Sequence, residues 1–229
     1  SPFWISKNVK SLSPEKHCLH KRESGDLYIN YGFVIPDVTN PEVENIIISK
    51  IKDLENDGFS IFKLDFLHQI AITDEQFDFF QNNIPRVEIV KRFLVKLKET
   101  LKSDTVIITC GCSPVACAGI SHINRIGGDI ATFSNTVKIL SQFLSVRYWM
   151  NGVLFQSDPD FLVVRTKETS HENENNPFLT EFLGDNPGDM AGSRSGNEWE
   201  TTGEARIWAS LVGMSGGTIN LGDRLLKLN

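Results

Sequence analysis

The sequence predicts an α/β protein whose parallel strands and crossover helices build a (β/α)8 barrel. Two observations predict it. Buried-type strands alternate with amphipathic helices about five times, an order that favours a parallel sheet with helical crossovers. Acidic and basic residues also collect where these strands stop. Lys63 and Asp65 stand in Phe62-Lys63-Leu64-Asp65-Phe66, Asp129 closes Arg125-Ile126-Gly127-Gly128-Asp129, and Asp158 and Asp160 flank Pro159. A parallel barrel brings such strand-end residues to one mouth. A Rossmann fold repeats in the same way but calls for a glycine-rich first turn, and no GxGxxG is present.

In chain order, residues 1–26 read as polar and irregular, and residues 27–35 as extended. Thr39-Asn40-Pro41-Glu42 carries a cap candidate and a proline for the first turn of a helix. Its apolar face is Val43, Ile46, Ile47, Ile51 and Leu54, and Gly58 ends it. Residues 59–66 form a nearly continuous apolar strand, the pattern of a strand covered on both faces. Residues 77–83 read as a loop or a short helix. Pro85 starts a helix with a stripe through Val87, Ile89, Val90, Phe93, Leu94, Leu97 and Leu101. Strands are expected at 105–110, 121–126, 152–156 and 217–221, and helices at 135–148 and 198–214. Residues 166–197, rich in Asn, Gly, Glu and Ser, are expected to be an irregular insertion in a single partial barrel domain that spans 1–229.

At 229 residues the chain is long enough for one full core. A net charge of -6 argues against a nucleic-acid partner, because phosphate binding needs a basic surface. No run approaches the roughly 20 apolar residues of a membrane span. The four cysteines, Cys18, Cys110, Cys112 and Cys117, lack the paired spacing of a zinc site, and a chain this long is no disulfide scaffold. No metal or organic cofactor is expected. Cys117 reads as a small buried residue, while Cys110 and Cys112 stand in the turn after a strand.

Two carboxylates on opposite sides of an anomeric carbon suffice to cleave a glycosidic bond: one attacks and the other moves a proton. Alternation along a strand sends Lys63 and Asp65 to the same side. Lys63 would favour the charged form of Asp65, which makes Asp65 the better nucleophile and Asp129 the better acid/base. Against this stands the plainer role of each aspartate as a helix cap. Arg125 is open between orienting a substrate hydroxyl and a surface ion pair. Of Asp158 and Asp160, one would brace the site and the other face solvent. Trp4 and Trp199 lie in loop-like stretches and are candidates for stacking on a sugar, whereas Trp149 and Trp208 read as core. Gly127-Gly128 and Gly216-Gly217 are the only support for a phosphate-binding barrel enzyme.

Taken in order, Phe62-Lys63-Leu64-Asp65-Phe66, Cys110-Gly111-Cys112-Ser113-Pro114, Arg125-Ile126-Gly127-Gly128-Asp129, and Arg147-Tyr148-Trp149-Met150-Asn151 leading to Asp158-Pro159-Asp160 resemble the α-galactosidase clan of glycoside hydrolases, family 36 more than family 27. The resemblance covers roughly residues 28–165, with a weaker match at 208–223. It implies the C-terminal part of a TIM barrel, from the end of strand 3 to strand 8. It also implies a retaining hydrolase of terminal α-galactosides with Asp65 as nucleophile and Asp129 as acid/base. Lys63, Arg125 and a cysteine of the Cys110/Cys112 turn would contact the sugar, with Asp158 and Asp160 near it. The family's outer-hydroxyl aspartates have no counterpart here, so the missing N-terminal barrel strands are expected from a longer chain or a partner. A non-catalytic carbohydrate-binding or structural remnant of the same barrel is the alternative.

Overall fold

The computed structural model describes residues 12–30, 33–71, 77–132, 134–166 and 198–223. The expected insertion at 166–197, apart from Thr166, and Trp4 lie outside the described residues. The chain divides into two compact units, Ser1–Arg125 and Ile126–Asn229.

In the first unit a short helix α1 (Pro14–His17) precedes β1 (His20–Lys21), β2 (Ile29–Asn30) and β3 (Phe33–Val34). β2 and β3 pair antiparallel. Helix α2 (Pro41–Asn56) starts where the sequence places it, with the Asn40 side chain accepting from the Glu42 N–H at 3.0 Å. Such a cap contributes about 1 kcal/mol. Its buried face is Val43, Ile47, Ile48, Ile51 and Glu55, one step round from the expected stripe, and Leu54 is exposed. Glu55 takes the core-facing place because it meets a polar cluster: Lys52 Nζ at 2.5 Å, the Lys102 N–H at 2.8 Å and the Thr105 hydroxyl.

β4 (Ile61–Leu64) follows. It is not covered on both faces as its apolar run predicts. Ile61 and Lys63 are exposed, and only Leu64 is buried. Among the described residues of this unit β4 pairs on one side alone, with β6 (Val106–Thr109), which in turn pairs with β7 (Ile123–Arg125); all three run parallel. Residues 77–83 hold a strand rather than a helix: β5 (Phe77–Asp78) pairs antiparallel with β1. The next turn is pinned by Asp37, whose carboxylate accepts from the N–H groups of Thr39 and Phe80 at 2.9 and 2.5 Å. Helix α3 (Arg86–Thr100) begins after Pro85 and buries Ile89, Val90, Phe93, Leu94 and Leu97, as its stripe predicts. Burying side chains of this kind stabilises by roughly 1.5–3 kcal/mol each. The short helix α4 (Pro114–Cys117) connects β6 to β7.

In the second unit helix α5 (Ser134–Arg147) buries Val137, Leu140 and Leu144. β8 (Gln156–Asp158) lies further along than expected, because Gly152 turns the chain at φ 72° ahead of it. β9 (Phe161–Leu162) pairs parallel with β10 (Asn220–Leu221). Helix α6 (Thr202–Met214) starts later than the sequence predicts because Thr201 and Glu204 form a reciprocal capping box. Trp208 is core, as expected. Trp199 and Trp149 exchange their expected places. Trp199 is fully buried with its indole N–H on the Val163 carbonyl at 2.7 Å, and Trp149 is 53% exposed.

Among the described residues no helix is long and apolar enough to cross a membrane, and no group of His, Cys, Asp or Glu could hold a metal ion.

Candidate active site

The first unit assembles its part of the site from the ends of three neighbouring parallel strands. Asp65 follows β4 directly, and the register sets Leu64 beside Thr109, so that Asp65 and Cys110 leave adjacent strands at the same level. The two exits are tied by backbone bonds, Cys110 N–H to the Leu64 carbonyl at 2.9 Å and Leu67 N–H to the Cys110 carbonyl at 3.2 Å. Between them Phe66 adopts φ 58°, a conformation a bulky residue rarely takes, and its N–H donates to Asp65 Oδ1 at 2.7 Å. Strain of this kind collects at functional sites, where surrounding contacts over-determine it.

The Cys110 thiol donates a hydrogen bond to the Asp65 carboxylate. Burial, first, and that bond push the thiol up to about 12, while the charges of Arg125 and Lys63 pull the other way. Lys63, Asp65 and Arg125, which the sequence singles out together with Cys110, are therefore all close enough to act on that thiol. Arg125 ends β7 and is buried, which removes the surface ion pair from its two readings. Lys63 is exposed and Asp65 half-buried.

Cys112 and Cys117 contact each other. The Cys112 thiol, held on Cys117 and buried, is pushed up, whereas hydrogen bonds from Cys112, Thr109 and Ser121 hold Cys117 below its ordinary value. Cys117 is fully buried, as the sequence predicts.

In the second unit Asp129 is exposed on the loop after Gly127-Gly128. Its neighbour Ile130 donates its N–H to Asp160 Oδ2 at 2.6 Å. Asp158 Oδ1 accepts from the Asp160 N–H at 2.9 Å and from Asn220 Nδ2 at 3.0 Å, and Asp160 itself stands at φ 86°. Both aspartates are 3% exposed, so neither faces solvent; Asp158 rests on a backbone and a side-chain donor and Asp160 on a backbone donor. Asp160 thereby holds the loop that carries Asp129.

Sequence reasoning misses a second cluster beside the first unit's strand ends. Asn30 Nδ2 donates to Gln69 Oε1 at 3.1 Å, and Gln69 Nε2 lies 2.9 Å from His68 Nε2. With the amide so oriented, Nε2 of His68 accepts and Nδ1 carries the proton. His68 sits over Gly111, where a Cβ would lie 2.6 Å from Nδ1. Gly111 is also at φ 64°, so both its conformation and the close approach call for glycine. Asn30 and Gly111 are far in sequence from His68 and Gln69, and no spacing announces them.

No family model matches the chain. Among solved structures it is similar to the alpha-galactosidase of Thermus thermophilus in complex with p-nitrophenyl alpha-D-galactopyranoside, with a TM-score of 0.64 and 16% identity over 100% of this chain and 43% of that one. The same enzyme in complex with stachyose gives a TM-score of 0.62 and 16% identity over 98% and 45% of the two chains. The chain thus spans less than half the length of these neighbours. At this identity the likeness shows the fold alone: a parallel α/β architecture consistent with part of a TIM barrel.

Proposed function

We propose that the chain is the catalytic part of a retaining glycoside hydrolase acting on terminal α-galactosides or related α-glycosides, of the α-galactosidase clan. Asp65 is the nucleophile and Asp129 the acid/base. The observation that carries this reading is the contact of Cys110 with Asp65, beside Lys63 and Arg125, at the ends of β4, β6 and β7. A carboxylate that accepts from a thiol and from the Phe66 N–H is fixed in direction, as an attacking group must be. The solved structures with bound galactosides support the substrate class.

In the first step the Asp65 carboxylate attacks the anomeric carbon while Asp129 gives its proton to the leaving oxygen. In the second, Asp129 takes a proton from water, which displaces Asp65 and restores both groups. Lys63, Arg125 and a cysteine of the Cys110/Cys112 turn hold sugar hydroxyls. Asp158 and Asp160 fix the Asp129 loop from beneath.

A mechanism-based fluorinated galactosyl fluoride tests the assignment in the natural protein. The expected result is a covalent label on the peptide that holds Asp65, found by mass spectrometry, with α-galactose as the first product of ordinary substrates. A label on another carboxylate, or β-galactose as first product, overturns it. Asp129→Asn should slow substrates with poor leaving groups far more than those with good ones, and equal slowing removes Asp129 from proton transfer.

A further inference from the structure

The turn that follows the candidate nucleophile helps to line a cleft of about 440 Å³ in the first unit, and of the described lining the proposed mechanism draws on no residue but Cys112. Its lining includes His68, Gln69, Arg86, Gly111, Cys112 and Ser113, and no carboxylate is among its described lining residues. Arg86 is the first residue of α3, and its guanidinium carbon lies 3.9 Å from the centre of the Phe79 ring. Phe79 is itself buried and held by its N–H on Asn82 Oδ1 at 3.0 Å. Stacking fixes the plane of the guanidinium and leaves its edge for a ligand. One of its terminal nitrogens is shielded from solvent and has no hydrogen-bond partner among the described residues. An arginine nitrogen out of water without an acceptor is costly, and an acceptor entering the cleft removes that cost.

The opposite wall supplies further donors. Gln69, held by Asn30, keeps His68 in the tautomer that carries its proton on Nδ1. Gly111 leaves room for that ring edge, and Ser113 adds a hydroxyl. The cleft therefore presents a fixed cation and several donors, with no carboxylate among the described residues that line it. His68 and Gln69 belong to the 3-10 turn Leu67–Ala71, which starts two residues after Asp65.

We infer that this cleft is an oxyanion-binding subsite that takes a carboxylate, sulfate or phosphate substituent carried by the leaving group, with Arg86 as its specificity-determining residue. The assignment to the leaving group rests on Asp65 being the nucleophile. The affinity for an oxyanion does not.

Two arms test it on the natural protein. In the first, ¹⁵N-labelled protein is titrated with inorganic sulfate, and the ring nitrogens of His68 and the Arg86 Nε resonance are followed by NMR. Saturable shifts are expected in the wild type, at least tenfold weaker binding in Arg86→Met, and intermediate binding in Arg86→Lys, with far-UV circular dichroism showing all three folded. An absence of shifts in the wild type, or equal binding in Arg86→Met, overturns the inference whatever becomes of Asp65. In the second arm, kcat/KM is compared for p-carboxyphenyl and phenyl α-galactosides. Arg86→Met should lower the ratio of the two about tenfold and leave the uncharged substrate nearly unaffected. An unchanged ratio alongside sulfate binding overturns the leaving-group assignment. Loss of the hydrolase reading would show instead as no turnover of either substrate, with the sulfate titration unaffected.

Discussion

The Cys110 thiol donates to the Asp65 carboxylate across the ends of two adjacent parallel strands. A buried thiol is a weak donor but a fixed one, and it points the carboxylate without taking its charge. Cys110→Ala should therefore reduce kcat/KM on an aryl α-galactoside about tenfold, the effect of roughly one lost hydrogen bond. Cys110→Ser should recover most of that loss, and steady-state rates of the two variants check it.

The same burial makes a prediction about alkaline pH. Cys110 and Cys18 are both pushed up from 9.0 to about 12, chiefly by burial. A raised pKa means that the folded chain keeps protons that the unfolded chain gives up. Stability from these groups is complete below pH 9 and is lost as pH climbs toward 12. Urea midpoints measured across that window should fall, and Cys18→Ala should flatten the fall.

At the acid end the corresponding group is Glu55. Burial opposes its charge, but hydrogen bonds from Lys52, Thr105 and the Lys102 N–H outweigh burial and hold it at about 2. A lowered pKa gives the opposite sign: its contribution is present above the ordinary value of 4.5 and is lost as pH falls toward about 2. Glu55→Gln should lower the urea midpoint at pH 7 and weaken the dependence of stability on pH between those limits.

Asp160 holds the loop that carries Asp129 through the Ile130 N–H. In Asp160→Asn that charge-assisted bond weakens, at a cost of about 2 kcal/mol. Amide hydrogen exchange at Ile130 should accelerate, while exchange within α6 stays as it was.

Much of the strand and helix order was legible because it follows from residue type alone. Helix α3 shows its buried face in its apolar spacing, and Asn40 with Pro41 announces the start of α2. The strand ends were legible too, since Lys63, Asp65, Cys110 and Arg125 stand where buried-type runs stop. What the sequence hid depends on contacts between distant segments. Glu55 replaces Leu54 on the buried face of α2 because Lys102 and Thr105 wait there to bind it. Trp199 is buried in an irregular stretch because the Val163 carbonyl accepts its indole N–H. Phe77 and Asp78 become a strand only by pairing with β1, more than fifty residues earlier in the chain (about 57 by residue number). The cleft at Arg86 has the same cause, since its described walls come from four separate segments.

The central claim is that Asp65 forms the bond to the sugar, and azide tests it most directly. Asp65→Gly should lose activity on an aryl α-galactoside by roughly a thousandfold or more. Added azide should then restore release of the aryl group and yield β-galactosyl azide, because the small anion attacks from the side that the carboxylate has vacated. Wild-type rates in Asp65→Gly without azide, or a variant that azide leaves inert while the fold is intact, would contradict the account.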